Sequence, residues 1–168
     1  MTTNDYDQRS EALWAKLDDY DEQTFRARIE ELVATLPAGS AVAAFERACA
    51  FDSTGHPDQA VPFYRQALEL GLEGERRRRA VIQLSSSLRV LGHVSESLAL
   101  LTAEREQPSD RLDDAVSAFL ALALADSGRE REAVSVALAA LAPHLPRYQR
   151  SLGNYARSLA TRTRLDNA

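Results

Sequence analysis

With a single cysteine in 168 residues, the chain has no second thiol to close an intrachain disulfide and no thiolate set for a metal cluster. Cys49 alone fits a reducing compartment, and a cytoplasmic location is expected. Long apolar runs are missing as well. Nowhere do the roughly 18 uninterrupted apolar residues of a membrane helix occur, and the opening MTTNDYDQRSEALW has no basic start followed by an apolar stretch. A membrane is not an expected partner. Catalytic signatures are equally scarce: there is no Gly-rich phosphate loop, no G-x-S-x-G elbow and no H-E-x-x-H pair. Cys49 has no identifiable base beside it, and such a thiol packs as a small apolar residue. The chain is read as non-enzymatic, with no cofactor.

What is present supports one core. At 45 % hydrophobic, the chain can bury a continuous apolar interior, and a single domain over residues 1–168 is expected. The net charge of −5 argues against non-specific nucleic-acid binding. Its distribution is uneven: residues 1–75 hold 15 acidic against 6 basic side chains, and residues 76–168 hold 10 against 14. Two readings follow, complementary pairing within the chain or head-to-tail contact between two copies.

A motif recurs. Gly55, Gly92 and Gly128 are separated by 37 and 36 residues, and Ala60, Ser97 and Ala133 each follow their glycine by five. Before each glycine, apolar residues fall at helical spacing: Val42, Phe45, Ala48, Cys49 and Phe51; then Val81, Ile82, Leu84, Leu88 and Leu91; then Phe119, Leu120, Leu122 and Leu124. After each glycine a second amphipathic stretch begins, with Pro57, Ser95 and Glu130 suited to a helix start. Glycine suits the left-handed residue that ends the first helix, so each unit reads as an αα-hairpin. Pro62 lies inside its helical pattern, which predicts a kink or a later start there.

These units resemble the tetratricopeptide repeat (TPR), a helix–turn–helix of about 34 residues. Gly55, Ala60, Tyr64 and Ala67 match its spacing. Gly128, Ala133 and Ala140 do so with Ala137 in the aromatic position, and the middle unit departs with Ser97, Leu101 and Glu104. No unit has the signature Trp, and Arg47 stands where Leu84 and Leu120 occupy the first helix's Leu position. The resemblance implies an all-α, TPR-like αα-hairpin solenoid, a right-handed superhelix. Its hairpins lie at 41–74, 78–111 and 114–146, with an N-terminal helical pair at 5–38 and a C-terminal capping helix at 147–165. The order of segments, closing on HLPRYQRSLGNYARSL, is similar to a group of small bacterial TPR proteins for which self-association is thought to occur.

In the family, the first helix of each hairpin lines a concave peptide-binding groove. Carried onto this chain, the groove positions are Val42, Phe45, Cys49 and Asp52; Arg79, Ile82, Ser86 and Arg89; and Ala115, Ala118, Leu122 and Ala125. The lining lacks the Lys and Asn set with which chaperone-binding members grip a carboxylate. An amphipathic helix from a partner protein or peptide, or the chain's own last helix, is the expected occupant. A homodimer is the alternative, with Tyr148, Leu152, Tyr155 and Leu159 on one stripe of the final helix as the candidate self-association surface.

The run Arg76, Arg77, Arg78 and Arg79 is a candidate anion patch, with Arg89 further along. At about 100° per residue, four consecutive side chains sweep a full turn, so at least one must face the groove or a neighbour. The competing reading is intrachain pairing with the acidic N-terminal third. No aromatic platform interleaves with these arginines, which disfavours nucleic acid. His56 and His93 both follow a turn glycine, but equivalent positions in stacked hairpins stand about 10 Å apart, too far to share a zinc ion. His144 is alone, and no metal site is expected. The acidic group Asp18, Asp19, Asp21 and Glu22 falls at a turn, where capping and solvation account for it.

Overall fold

The computed structural model describes residues 3–108 and 110–166, with side chains described for 5–108 and 110–161. Among them are nine α-helices and no strand: α1 (Thr3–Trp14), α2 (Glu22–Val33), α3 (Ala41–Ser53), α4 (Pro57–Glu69), α5 (Gly74–Val90), α6 (Val94–Arg105), α7 (Asp113–Asp126), α8 (Glu130–Leu141) and α9 (Gln149–Asp166). Short 3-10 turns follow α1 and α8. The fold is a set of TPR-like αα-hairpins, α3–α4, α5–α6 and α7–α8, with a helical pair before them and one helix after. The chain divides into two compact units, Met1–Ser87 and Leu88–Ala168.

The recurring glycines do one physical job. Gly55, Gly92 and Gly128 have φ of 80°, 86° and 76°, a left-handed conformation that costs an L-residue about 1–2 kcal/mol. After Gly55, the His56 N–H donates to the Phe51 carbonyl at 2.9 Å while the Gly55 N–H donates to Asp52 at 3.1 Å. The pair of bonds recurs as His93 to Leu88 with Gly92 to Arg89, and as Arg129 to Leu124 with Gly128 to Ala125. This is the Schellman closure, which satisfies carbonyls at the helix end and turns the chain within three residues. In α3–α4 and α7–α8 the two helices of the hairpin are thereby packed on one another.

Local starts follow the same logic. Asp21 caps α2 by accepting the Thr24 N–H at 2.9 Å, and Ser40 caps α3 by accepting that of Ala43 at 3.3 Å. Pro57 occupies the first turn of α4, where its missing N–H has no intrahelical acceptor to lose. The helix starts ahead of Pro62 rather than after it. Pro62 removes the donor that would have met the Asp58 carbonyl, but both residues are exposed and that carbonyl lies in the first turn, within reach of water. α5 begins at Gly74, four residues ahead of the expected boundary at 78, so the arginine run lies inside its first two turns.

In the first unit, Phe25, Ile29, Val33, Ala43 and Ala50 form a buried cluster against which Leu13, Trp14, Leu17, Tyr20 and Leu36 pack. Fully burying a side chain such as Phe25 or Ile29 contributes about 1.5–3 kcal/mol, and the Trp14 and Phe25 rings meet edge to face at 5.0 Å. α2 is further joined to α3 by Arg47, whose Nε and Nη2 reach the Glu30 carboxylate at 2.9–3.0 Å, and by Arg26, which donates to Thr54 at 2.7 Å and lies over the Phe51 ring. α1 is held over α3 by polar contacts. Glu46 is 4 % exposed, and its carboxylate accepts from the Trp14 indole at 2.7 Å and from Ser10 at 3.3 Å. A buried carboxylate needs such donors, since an uncompensated one is strongly destabilising.

In the second unit, Val116, Leu120, Ala123 and Leu124 are the buried face of α7, and α9 packs on α8 through Leu152, Ala156 and Leu159. The Ser135 hydroxyl donates to the Ala156 carbonyl at 2.7 Å and fixes the rotation of α9 about its axis.

Two glycine substitutions should act in opposite directions. Gly128→Ala forces a left-handed alanine and should lower stability by about 1–2 kcal/mol. Gly153→Ala, in the interior of α9 with only the Arg157 guanidinium in ordinary contact at 3.7 Å, should raise it by up to about 1 kcal/mol. Urea unfolding followed by circular dichroism measures both.

Candidate interaction surface

The expected groove positions fall into three environments. In α3 and α5, Phe45, Cys49 and Ile82 are buried, and Val42 and Ser86 are half-buried. The Arg79 guanidinium lies 5.3 Å above the Phe45 ring centroid, a cation–π contact that covers this part of the lining. In α7 the positions are open: Ala118, Leu122 and Ala125 are exposed, Leu122 at 47 %, and Ala115 is half-buried. One turn beyond Leu122, Asp126 accepts from Arg89 at 2.7 Å. An apolar strip bounded by an ion pair therefore lies on the face of α7 opposite its buried residues.

Cys49 and Asp52 belong to a polar cluster that joins α3, α4 and α5. Asp52 accepts from the Tyr64 hydroxyl at 3.1 Å and from Ser87 at 2.9 Å; the Cys49 thiol lies 3.8 Å from the Tyr64 oxygen and 3.5 Å from Gln83 Oε1. Burial pushes the Cys49 thiol up to about 12, with the nearby Glu46 charge adding to it. Burial also raises the Asp52 carboxyl, an effect that the Ser87 and Tyr64 hydrogen bonds partly oppose. Tyr64 is raised far above the usual phenol range, first by burial and then by the charges of Cys49 and Asp52. Cys49 and Tyr64 supply neither a thiolate nor a phenolate near neutral pH, and the cluster ties helices together. Sequence reading places Cys49, Asp52 and Tyr64 at repeat positions but misses Gln83 and Ser87. The available signal is spacing, since Ser87 follows Asp52 by 35 residues, about one repeat.

The arginine run is engaged within its own unit. Arg76 pairs with Asp7 of α1 at 2.5 Å, Arg78 is 4 % exposed, and Arg79 covers Phe45. The four side chains point around the helix as the 100° increment requires. Asp7 and Arg76, with Ser10, Trp14 and Glu46, line a cavity of about 620 Å³ between α1, α3 and α5. The meeting of Trp14 with Glu46 is not legible from spacing; a lone Glu among Ala43, Ala44, Ala48 and Phe45 is the hint that a donor has to arrive from elsewhere.

The candidate stripe on the last helix splits. Leu152 and Leu159 are half-buried against α8, whereas Tyr148 and Tyr155 are 74 % and 67 % exposed. Tyr148 precedes α9 in a left-handed conformation with φ 71°, and the Ser135 bond turns Ala156 toward α8 in place of Tyr155. In the same unit a cavity of about 890 Å³, lined by Arg105, Asp114, Ser117, Arg129, Ala139 and Ala160 among others, runs beside α8. Two of the three imidazoles pair singly with carboxylates, His56 with Glu22 at 3.1 Å and His144 with Asp114 at 2.8 Å. Among the described residues, no group of three or more His, Cys, Asp or Glu side chains could hold a metal ion, and no helix is long and apolar enough to cross a membrane.

Successive helical hairpins with an apolar first-helix face are the mark of helical-repeat interaction proteins. Residues 41–159 match the tetratrico peptide repeat family, and the chain belongs to it. Repeats of this family generally mediate protein–protein interaction and are generally non-enzymatic. The fold is similar to the crystal structure of a protein from Podosopora anserina described as a kinesin light chain with nearly identical TPR-like repeats. That likeness is at 19 % identity and TM-score 0.66, covering 94 % of this chain and 92 % of that one. A variant of the same protein, with one glutamine replaced by methionine, is similar at 17 % identity and TM-score 0.65, covering 94 % and 95 %. No curated protein matches the sequence.

Two measurements check the polar cluster. Cys49, 2 % exposed with its thiol pushed up to about 12, should react with iodoacetamide at pH 8 only after unfolding, seen as a mass increment that appears in denaturant and not before. For Asp52, a folded-state value above the ordinary 3.8 means that the native state holds the proton more tightly than the unfolded chain. Its contribution to stability is therefore present at low pH and lost as pH rises through the folded value. Relative to Asp52→Asn, the wild type should gain in urea midpoint as pH falls from neutral to about 4.

Proposed function

We propose that the protein is a non-enzymatic interaction module that takes an apolar segment of a partner protein on the first-helix face of its hairpins. The observation that carries this reading is Leu122, half exposed between Ala118 and Ala125 on a helix whose other face is buried. A leucine left in water beside two exposed alanines offers a landing site for the apolar stripe of an amphipathic helix, and the Arg89–Asp126 pair can register its polar edge. The partner's identity is open. Phe45, Cys49 and Ile82 are covered, so α7 is the part of the lining that supports the reading.

A second reading, a homodimer in which another copy supplies the occupant, draws support from the exposure of Tyr148 and Tyr155. The anion-binding adaptor has less behind it. Arg76 is committed to Asp7 and Arg79 to Phe45, which favours an intrachain role for the run. A reducing, cytoplasmic setting accords with Cys49 as a free thiol.

Leu122→Glu tests the module. The substitution lies on an exposed position, so the circular dichroism spectrum and urea midpoint should stay near wild type, while affinity for any partner isolated with the wild-type chain should fall by roughly tenfold or more. Partner binding unchanged by Leu122→Glu would remove α7 from the interaction surface.

A further inference from the structure

The arginines of this chain are mostly matched to carboxylates close by. Arg26 pairs with Glu22, Arg28 with Glu31, Arg47 with Glu30, Arg76 with Asp7, Arg89 with Asp126 and Arg129 with Glu132. The last helix departs from this pattern. Between residues 147 and 165 there is no Asp or Glu, and Arg147, Arg150 and Arg157 are all exposed. Among the described residues no carboxylate pairs with any of the three: Arg157 reaches only Asn154 on its own helix, and Arg147 lies 6.0 Å above the Tyr148 ring.

The tyrosines lie on and beside the same helix. Tyr155 is on α9, Tyr148 immediately precedes it, and both are largely exposed. The helical increment places Arg150 and Arg157 on one flank of α9 and Tyr155 on the other. The exposed, short side chains of Ser151, Asn154 and Ser158 lie between them, opposite the face that packs on α8. The outward surface is thus a low crest with Tyr155 on one side and a cationic wall on the other, and Tyr148 stands exposed at its N-terminal end.

We propose that α9 is a docking surface for an acidic amphipathic helix of a partner protein. Such a helix lies along the crest, covers Tyr148 and Tyr155 with its apolar stripe, and sets Asp or Glu side chains against Arg150 and Arg157. Charge complementarity selects the acid, and tyrosine with arginine is the pairing enriched at the centres of protein interfaces. A nucleic acid or an anionic membrane offers the arginines the same charge, but the net charge of −5 repels an extended polyanion, whereas a short acidic helix meets only the local field of α9. The inference shares with the α7 reading the premise that the chain binds proteins, and it uses a different surface. Leu122→Glu and substitutions on α9 therefore fail independently.

The test uses the full chain and a labelled 18-residue helical peptide with a leucine stripe beside a glutamate stripe, followed by fluorescence anisotropy. A peptide of the same composition with scrambled stripes, a dT20 oligonucleotide and phosphatidylglycerol vesicles serve as comparisons. The wild type should bind the striped peptide and prefer it over all three, with affinity falling as salt rises. Arg150→Glu with Arg157→Glu, and separately Tyr148→Ser with Tyr155→Ser, should each weaken binding by about tenfold or more, while Arg28→Glu on α2 should not. No binding of the striped peptide, equal binding of the scrambled one, or insensitivity to both α9 pairs overturns the proposal. Tighter binding of dT20 or of vesicles overturns it in favour of a polyanion. A change in the chain's own mass in solution on either α9 substitution overturns it in favour of a second copy.

Discussion

Every hairpin depends on a left-handed glycine. The Schellman closure at Gly55, Gly92 and Gly128 stops one helix and the next starts within three residues, and in α3–α4 and α7–α8 the two helices so joined pack on one another. A helix of 12 to 17 residues is marginal alone, so its persistence rests on this packing rather than on propensity. The same geometry repeated three times accounts for why the family is legible despite weak agreement at its signature positions.

The hairpins differ in how far their first helices are covered. Around α3, Arg79 lies on Phe45, α1 supplies donors to Glu46, and Asp52 is bound by Tyr64 and Ser87. Polar groups there are turned inward and satisfied by neighbouring helices, at the desolvation cost that raises Cys49, Asp52 and Tyr64. On α7 the corresponding side chains are small or apolar and are left in water. The surfaces proposed for binding, α7 and the outer side of α9, are those whose side chains are left in water, whereas the charges of the arginine run are drawn into the first unit.

Much of the fold was legible from residues alone. The three hairpins, their turn glycines and the N-terminal pair follow from helical spacing and from Gly at the turns, which are local properties. Pro62 shows the limit of local reading: its penalty depends on whether the orphaned carbonyl is buried, and here it is in the first turn beside water. The boundary of α5 shows another, since Gly74 lies in the left-handed region at the start of a helix that a glycine signal alone would place later.

What the sequence by itself determined is the order of helices, the reversal at each glycine and the family, because each is written in residues fewer than about 40 positions apart with a fixed period. Only tertiary structure decided which predicted surface residues stay open. Tyr148, Leu152, Tyr155 and Leu159 share one stripe by spacing, yet the Ser135 bond to Ala156 rotates α9 so that the leucines meet α8 and the tyrosines meet water. Likewise Cys49 and Leu122 hold equivalent repeat positions, and only the arrival of Tyr64 and Gln83 beside the first of them makes the two different. Period specifies a face; which neighbour covers that face is a property of packing between elements, and no single stretch of chain contains it.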